Sequence, residues 1–239
     1  MHVPRRTLVI ASGLAVVGGL AGWQLWPRQA QAPSGAAAQT PPPASSATAP
    51  ASPAAPASPA APAPGPSDPR LAERSAGSPT APVVVTEFFS LTCSHCATFH
   101  TETWPQVKAQ LVETGRVRMV WRDFPLDQLG LAAAAVGRAL PADRYEGYIG
   151  ALFATQNRWA FARGIDNKEE VFRIAALAGM ARDAFDEAWT SETLQRGILE
   201  LRLRAEREFN VQSTPTFAFG TRIVAGAIPF DRFAQEVAR

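Results

Sequence analysis

The sequence predicts an α/β fold in which a β–α–β unit and a β–β–α unit flank a block of helices. Three observations carry this expectation. Two short β-rich runs, PVVVTEFFS (82–90) and RVRMVWRDF (116–124), enclose a helical pattern, an order that implies a parallel strand pair joined by a right-handed crossover. From Gln128 to about Phe209 the apolar spacing is helical. After that block, STPTFAF (213–219) and TRIVAG (221–226) read as a β-hairpin with Gly220 in the turn, and a last helix covers about 229–238.

Each element has a local reason. The run 82–90 is apolar on both faces, as a buried strand requires. The helical pattern from about Ser94 to Thr114 is interrupted at Trp104-Pro105 and closed by Gly115. Pro125 ends the second strand. In the helical block, LAAAAVGRAL, RYEGYIGALFATQNRWAF, NKEEVFRIAALAGM, RDAFDEAW and ETLQRGILELRLRAEREF read as successive helices, with Asn167 and Glu170 in capping-box spacing. Pro229 suits the first turn of the final helix. No internal repeat is present.

The first third of the chain has a different composition. Residues 1–27 place two arginines before a mostly apolar, uncharged run from Leu8 to Trp26, the pattern of an export signal with its basic end in the cytoplasm. AQA at 30–32 resembles a cleavage site. The apolar run is nevertheless long enough to span a bilayer, and Trp23 and Trp26 sit where an interfacial belt belongs. The expectation is a signal helix retained as a membrane anchor, with a cleaved signal as the alternative. Residues 28–80 are a Pro/Ala-rich stretch too poor in large apolar side chains to offset its own ordering entropy. That reads as a disordered, semi-rigid linker, whose densest part, Pro33 to Pro69, reaches roughly 100 Å if fully extended. The folded domain is expected over 81–239. Residues 83–239 hold 18 basic and 19 acidic side chains, so no basic stripe suits nucleic acid.

The only two cysteines, Cys93 and Cys96, stand in FFSLTCSHCATFH, directly after the first strand. A structural disulfide closing so short a loop gains little. Zinc normally takes four ligands from two separated pairs, and no second pair exists here; neither a metal nor a cofactor is expected. A redox dithiol fits better. Cys93 sits at a helix start, where free backbone N–H groups and the helix dipole favour a thiolate, and His95 in the intervening dipeptide adds positive charge or a donor. Every unit by which a thiol pKa falls corresponds to about 1.4 kcal/mol, or about 30 mV for a two-electron couple. Glu87 is a carboxylate on an otherwise apolar strand, costly unless it has a task such as relaying a proton to or from Cys96; a strand-end Glu reaching solvent is the alternative. His100 reads as a helix-surface residue, and Arg122 with Asp123 as a structural strand-end pair.

GSPTAPVVVTEFFSLTCSHCATFH, GRVRMVWRDFPL and VQSTPTF together resemble the DsbA-like branch of the thioredoxin superfamily over about Gly77 to Arg239. The resemblance implies a thioredoxin fold with an all-helical domain inserted at about 128–195. It implies that Cys93 is the exposed nucleophile, Cys96 the buried resolving thiol and Ser94-His95 the tuning dipeptide. Pro215 then matches the cis-proline beside the sulfurs, preceded by Thr214, in a loop that binds extended client peptide, and Glu87 matches the buried acid. Two positions depart from the best-known relatives: Ser94 stands where they carry Pro, and Thr214 where strong oxidases often carry Val. The expected activity is a thiol–disulfide oxidase in the bacterial periplasm, a monomer tethered to the inner membrane or free after signal cleavage. It acts on exported client proteins with free thiols and is reoxidised by a quinone-linked membrane partner. The alternatives are an isomerase or reductase of the same fold, or a chaperone-like client-binding module.

Overall fold

The computed structural model describes residues 68–239; the expected leader at 1–27 and most of the expected linker at 28–80 lie outside them. Among the described residues no helix is long and apolar enough to cross a membrane.

A five-stranded sheet in the order β1-β3-β2-β4-β5 organises the domain. Its centre is β2 (Val83–Phe89), parallel to β3 (Val117–Asp123) on one side and antiparallel to β4 (Thr216–Phe219) on the other. The predicted hairpin is present, with β5 (Arg222–Ala225) antiparallel to β4 and Gly220 at φ +62°. The strand β1 (Arg74–Ala76) pairs antiparallel with the outer side of β3.

The folded part therefore starts earlier than residue 81. A 3-10 turn at Pro69–Leu71 and β1 occupy positions expected to be linker. Asp68 caps that turn by accepting from the Arg70 backbone N–H, and buried Leu71 plugs it into the core. The three-residue Arg-Ser-Ala strand has no β signature of its own; pairing with β3 alone makes it a strand. Gly77 then allows a tight exit at φ +97°, where a Cβ would stand 2.6 Å from the Val117 carbonyl oxygen.

Alternation along β2 sends Val85, Glu87 and Phe89 to one face and Phe88 to the other. On the first face lies the continuous helix carrying the cysteines. It begins as α1 (Ser94–Thr98), widens into a π-type turn at Phe99–Thr103, passes through α2 (Trp104–Val107) and widens again at Lys108–Val112. Pro105 cannot donate to the helix, which accounts for the irregularity predicted there. Phe99, Trp104 and Val107 from this helix join Val85, Phe89, Met119 and Trp121 in one core.

The helical block comprises α3 (Gln128–Ala139), α4 (Ala142–Ala154), the single-turn α5 (Gln156–Trp159), α6 (Asn167–Leu177), α7 (Arg182–Thr190) and α8 (Glu192–Phe209). The expected insertion boundary at 195 falls inside α8, which continues until Asn210 ends it in the left-handed region at φ +51°. Ala205 and Phe209 near its end pack with Phe88, Phe124, Val211 and Ala218 on the second face of the sheet, so α8 belongs to both parts. The cap of α6 is Asp166, accepting from the Glu169 N–H, rather than Asn167, whose side chain donates to the Trp159 carbonyl. The final helix α9 (Phe230–Val237) has Pro229 at its N-cap, one position before the first turn. Asp123 does not pair with Arg122: it meets Arg138 and Tyr145, and Arg122 lies over the Phe209 ring.

Candidate active site

Strand β2 ends at Phe89, and the chain turns through Ser90–Thr92 into Cys93, the N-cap of α1. Cys93 has extended geometry, φ −87° and ψ 119°, which leaves the N–H groups of the first turn without backbone partners and grouped about its sulfur. Both cysteines are free thiols, so this is the dithiol state. Their surroundings differ. Cys93 retains a small exposure (8%), whereas Cys96, one turn on, has none.

That asymmetry separates the two thiols. The Cys93 pKa is pulled down to about 5, first by the Cys96 thiol; burial opposes the shift, and the Thr214 side chain and the N–H groups of Cys96 and His95 add to it. Cys96 is pushed well above the ordinary thiol range by burial, then by the Cys93 sulfur and by the charge on Glu87. Around neutrality the pair is thus a thiolate resting on a protonated partner.

The second wall of the site is the predicted proline loop. The Thr214–Pro215 peptide bond is cis, and the Cys93 sulfur lies 3.3 Å from the Thr214 carbonyl oxygen, to which it donates when protonated. The Pro215 carbonyl accepts from the Gly226 N–H at 2.8 Å, which ties the loop to the end of β5. The Thr214 hydroxyl is buried and has no partner apart from the Cys93 thiolate it helps to stabilise.

Glu87 is fully buried and lies behind Cys96, not at a strand end in solvent. Its partner corrects the reading of His100 as a surface residue: His100 is also buried, and its Nε2 lies 3.0 and 3.1 Å from the two Glu87 carboxylate oxygens. The imidazole stacks on Phe153 at 4.3 Å and meets the edge of Phe99 at 5.6 Å. Ser94 and His95 occupy the exposed first turn of α1.

The structure therefore brings Cys93, Cys96, Thr214 and Pro215 together at one surface point, with Ser94 and His95 at the rim and Glu87 beneath. Sequence reasoning missed two residues. His100 lies four positions after Cys96, which on a helix is the same face as the buried thiol; that spacing was an available signal. Gln156 had none. Its Nε2 donates to the carbonyls of Leu91 and Cys93 at 2.7 and 3.0 Å from a distant part of the chain.

A dithiol at a helix start facing a cis-proline loop, on a sheet of this order, defines a thioredoxin-fold dithiol protein. The family model described as thioredoxin matches residues 70–238, and the chain belongs to that family. Its structural neighbours include DsbA proteins. The crystal structure of Wolbachia pipientis alpha-DsbA1 superposes with a TM-score of 0.65 at 26% identity, covering 70% of this chain and 90% of that one. A protein-disulfide isomerase structure from Novosphingobium aromaticivorans shares the fold, with a TM-score of 0.59 at 22% identity, covering 70% of this chain and 98% of that one. A Rickettsia felis protein named as a candidate protein-disulfide oxidoreductase is 24% identical over 124 residues, 52% of this chain and 44% of its own. The chain spans about half the length of the curated relatives it matches.

Proposed function

We propose that the protein is a thiol–disulfide oxidoreductase that introduces disulfides into exported proteins. The observation that carries this reading is the contrast between Cys93, poised as a thiolate, and Cys96, held protonated beneath it. A low nucleophile pKa stabilises the reduced form and so makes the disulfide form oxidising.

In the disulfide form, a client thiolate attacks the Cys93 sulfur. The Cys93–Cys96 bond breaks, and Cys96 leaves as a thiolate and takes up a proton; Glu87 with His100 is the nearest buried acid–base pair to manage that proton. A second client thiolate then attacks the client sulfur of the mixed disulfide. The client disulfide forms, Cys93 leaves as its stabilised thiolate, and two electrons now reside on the enzyme dithiol. Thr214 and Pro215 offer backbone groups to the extended client segment, and Ser94-His95 tunes the pair from the exposed side. Regeneration requires an external two-electron acceptor, for which a quinone-linked membrane protein is the proposed partner. The export pattern at 1–27 supports action in the bacterial periplasm, on a tether to the inner membrane or free of it.

The test is the reduction potential together with the Cys93 pKa. The expected result is a pKa near 5 and a potential well above the roughly −270 mV of thioredoxin. A pKa near 8 with a thioredoxin-like potential overturns the oxidase reading in favour of a reductase. Cys93→Ser separates both from a client-binding module, since binding would survive the substitution and exchange would not.

A further inference from the structure

We propose that Gln156 is a positioning residue for the redox centre, through which the helical insertion holds the turn into α1 and sets the orientation and electrostatics of Cys93. The inference rests on the reading of Cys93 as the nucleophile and adds a residue outside the thioredoxin core that controls it.

The geometry is specific. Gln156 is 5% exposed. A buried primary amide is costly unless its polar atoms are used. Both neighbours of its Nε2 are carbonyl oxygens, Leu91 at 2.7 Å and Cys93 at 3.0 Å, so only the NH2 end can face them. These two carbonyls bracket the turn that delivers Cys93 from strand to helix. The Cys93 carbonyl already accepts from the Ala97 N–H at 3.1 Å as the first bond of the helix; Gln156 fills its second lone pair. Two carbonyl dipoles near a thiolate are repulsive. An amide capping both withdraws that negative potential and fixes the backbone that aims the first-turn N–H groups at the sulfur.

The support behind Gln156 is rigid. α4 ends at Ala154, and Thr155 breaks the helix at φ −117° and ψ 16° before the single turn of α5. This break turns Gln156 toward the active site. Trp159, with no exposure, donates its indole N–H back across the break to the Leu152 carbonyl at 2.7 Å, and Asn167 on α6 donates to the Trp159 carbonyl at 2.6 Å. The amide is thus anchored through three helices of the insertion, as a pre-organised site requires.

The test uses Gln156→Met, which keeps the side-chain length and removes both donors. In the reduced protein, thiolate ultraviolet absorbance against pH should show the Cys93 pKa raised by about one unit. That is a tenfold loss of thiolate stabilisation, and it should lower the reduction potential by about 30 mV. An unchanged pKa and potential in a folded Gln156→Met protein overturn the proposal and assign Gln156 to structure alone. A measurement on the unsubstituted chain covers the case in which the variant does not fold. The Gln156 side-chain amide resonances should titrate with the Cys93 midpoint, and resonances indifferent to that midpoint also overturn it. If the unsubstituted protein exchanges no disulfides, the proposed function fails first, and the two failures are distinguishable.

Discussion

Two carboxylates are buried in the sheet, and they are paired in different ways. Glu87 on β2 faces an imidazole inside an aromatic cage of Phe89, Phe99, Trp104 and Phe153. Asp123 at the end of β3 faces the Arg138 guanidinium and takes a further hydrogen bond from the Tyr145 hydroxyl at 3.1 Å. Arg138 also donates to the carbonyls of Ala72 and Trp121, while Arg74 donates to those of Arg138 and Leu140. Burial, then the Asp123 charge, keeps Tyr145 protonated and able to donate. A guanidinium does not give up its proton in a protein, whereas an imidazole can. The Asp123 cluster is therefore a fixed clasp joining β1, β3, α3 and α4. The Glu87–His100 pair lies behind the resolving thiol, whose pKa the Glu87 carboxylate helps to raise.

This contrast can be broken by experiment. Arg138→Met should have the largest effect, because it leaves a buried carboxylate without its cation; a loss of about 3–5 kcal/mol is expected, read by denaturant unfolding. The Cys93 titration of the surviving fold should not move. A moved titration would show that the clasp reaches the sulfurs and that the two pairs are not separate.

Glu87→Gln should do the opposite. It leaves an amide that can still hydrogen-bond the His100 imidazole, so stability should change far less than with Arg138→Met. Dithiol exchange, followed by stopped-flow, should slow by about 100-fold, the low side of what acid–base assistance contributes. Unaltered exchange would reduce Glu87 to a structural residue.

Stability of the reduced form should depend on pH through Cys93. Its folded pKa lies below its unfolded value, so the unfolded state binds more protons between the two and stability rises with pH. The contribution is present at high pH and is lost as pH falls through about 5. The gap in melting temperature between reduced and oxidised protein should narrow from pH 8 to pH 5. A constant gap contradicts a stabilised thiolate.

Thr214→Val should have the smallest effect. It deletes a hydroxyl that helps the Cys93 thiolate but is otherwise buried without a partner. The Cys93 pKa should rise modestly, while thermal stability stays level or improves, since an unmet polar group is removed.

The parts of the site legible in the sequence were those carried by local pattern. The strand before Cys93, the helix after it and the Thr-Pro dipeptide ahead of a hairpin each declare themselves within a few residues. Residues defined by packing did not. The helix from Ser94 to Val112 is covered by α4 as well as by the sheet, so a histidine on it is buried where an isolated helix would expose it. Asp123 finds Arg138 rather than its neighbour Arg122 because adjacent strand residues point to opposite faces. Gln156 is an ordinary polar residue until the break at Thr155 aims it across the domain.

The complete burial of Cys96 has a practical consequence. In the reduced protein at mildly acidic pH, a thiol-directed electrophile meets one reactive sulfur rather than two. Alkylation should stop at a single adduct on Cys93, countable by mass, until unfolding releases the second. A chain with two cysteines thus carries a built-in distinction between folded and unfolded molecules, and between reduced and oxidised ones.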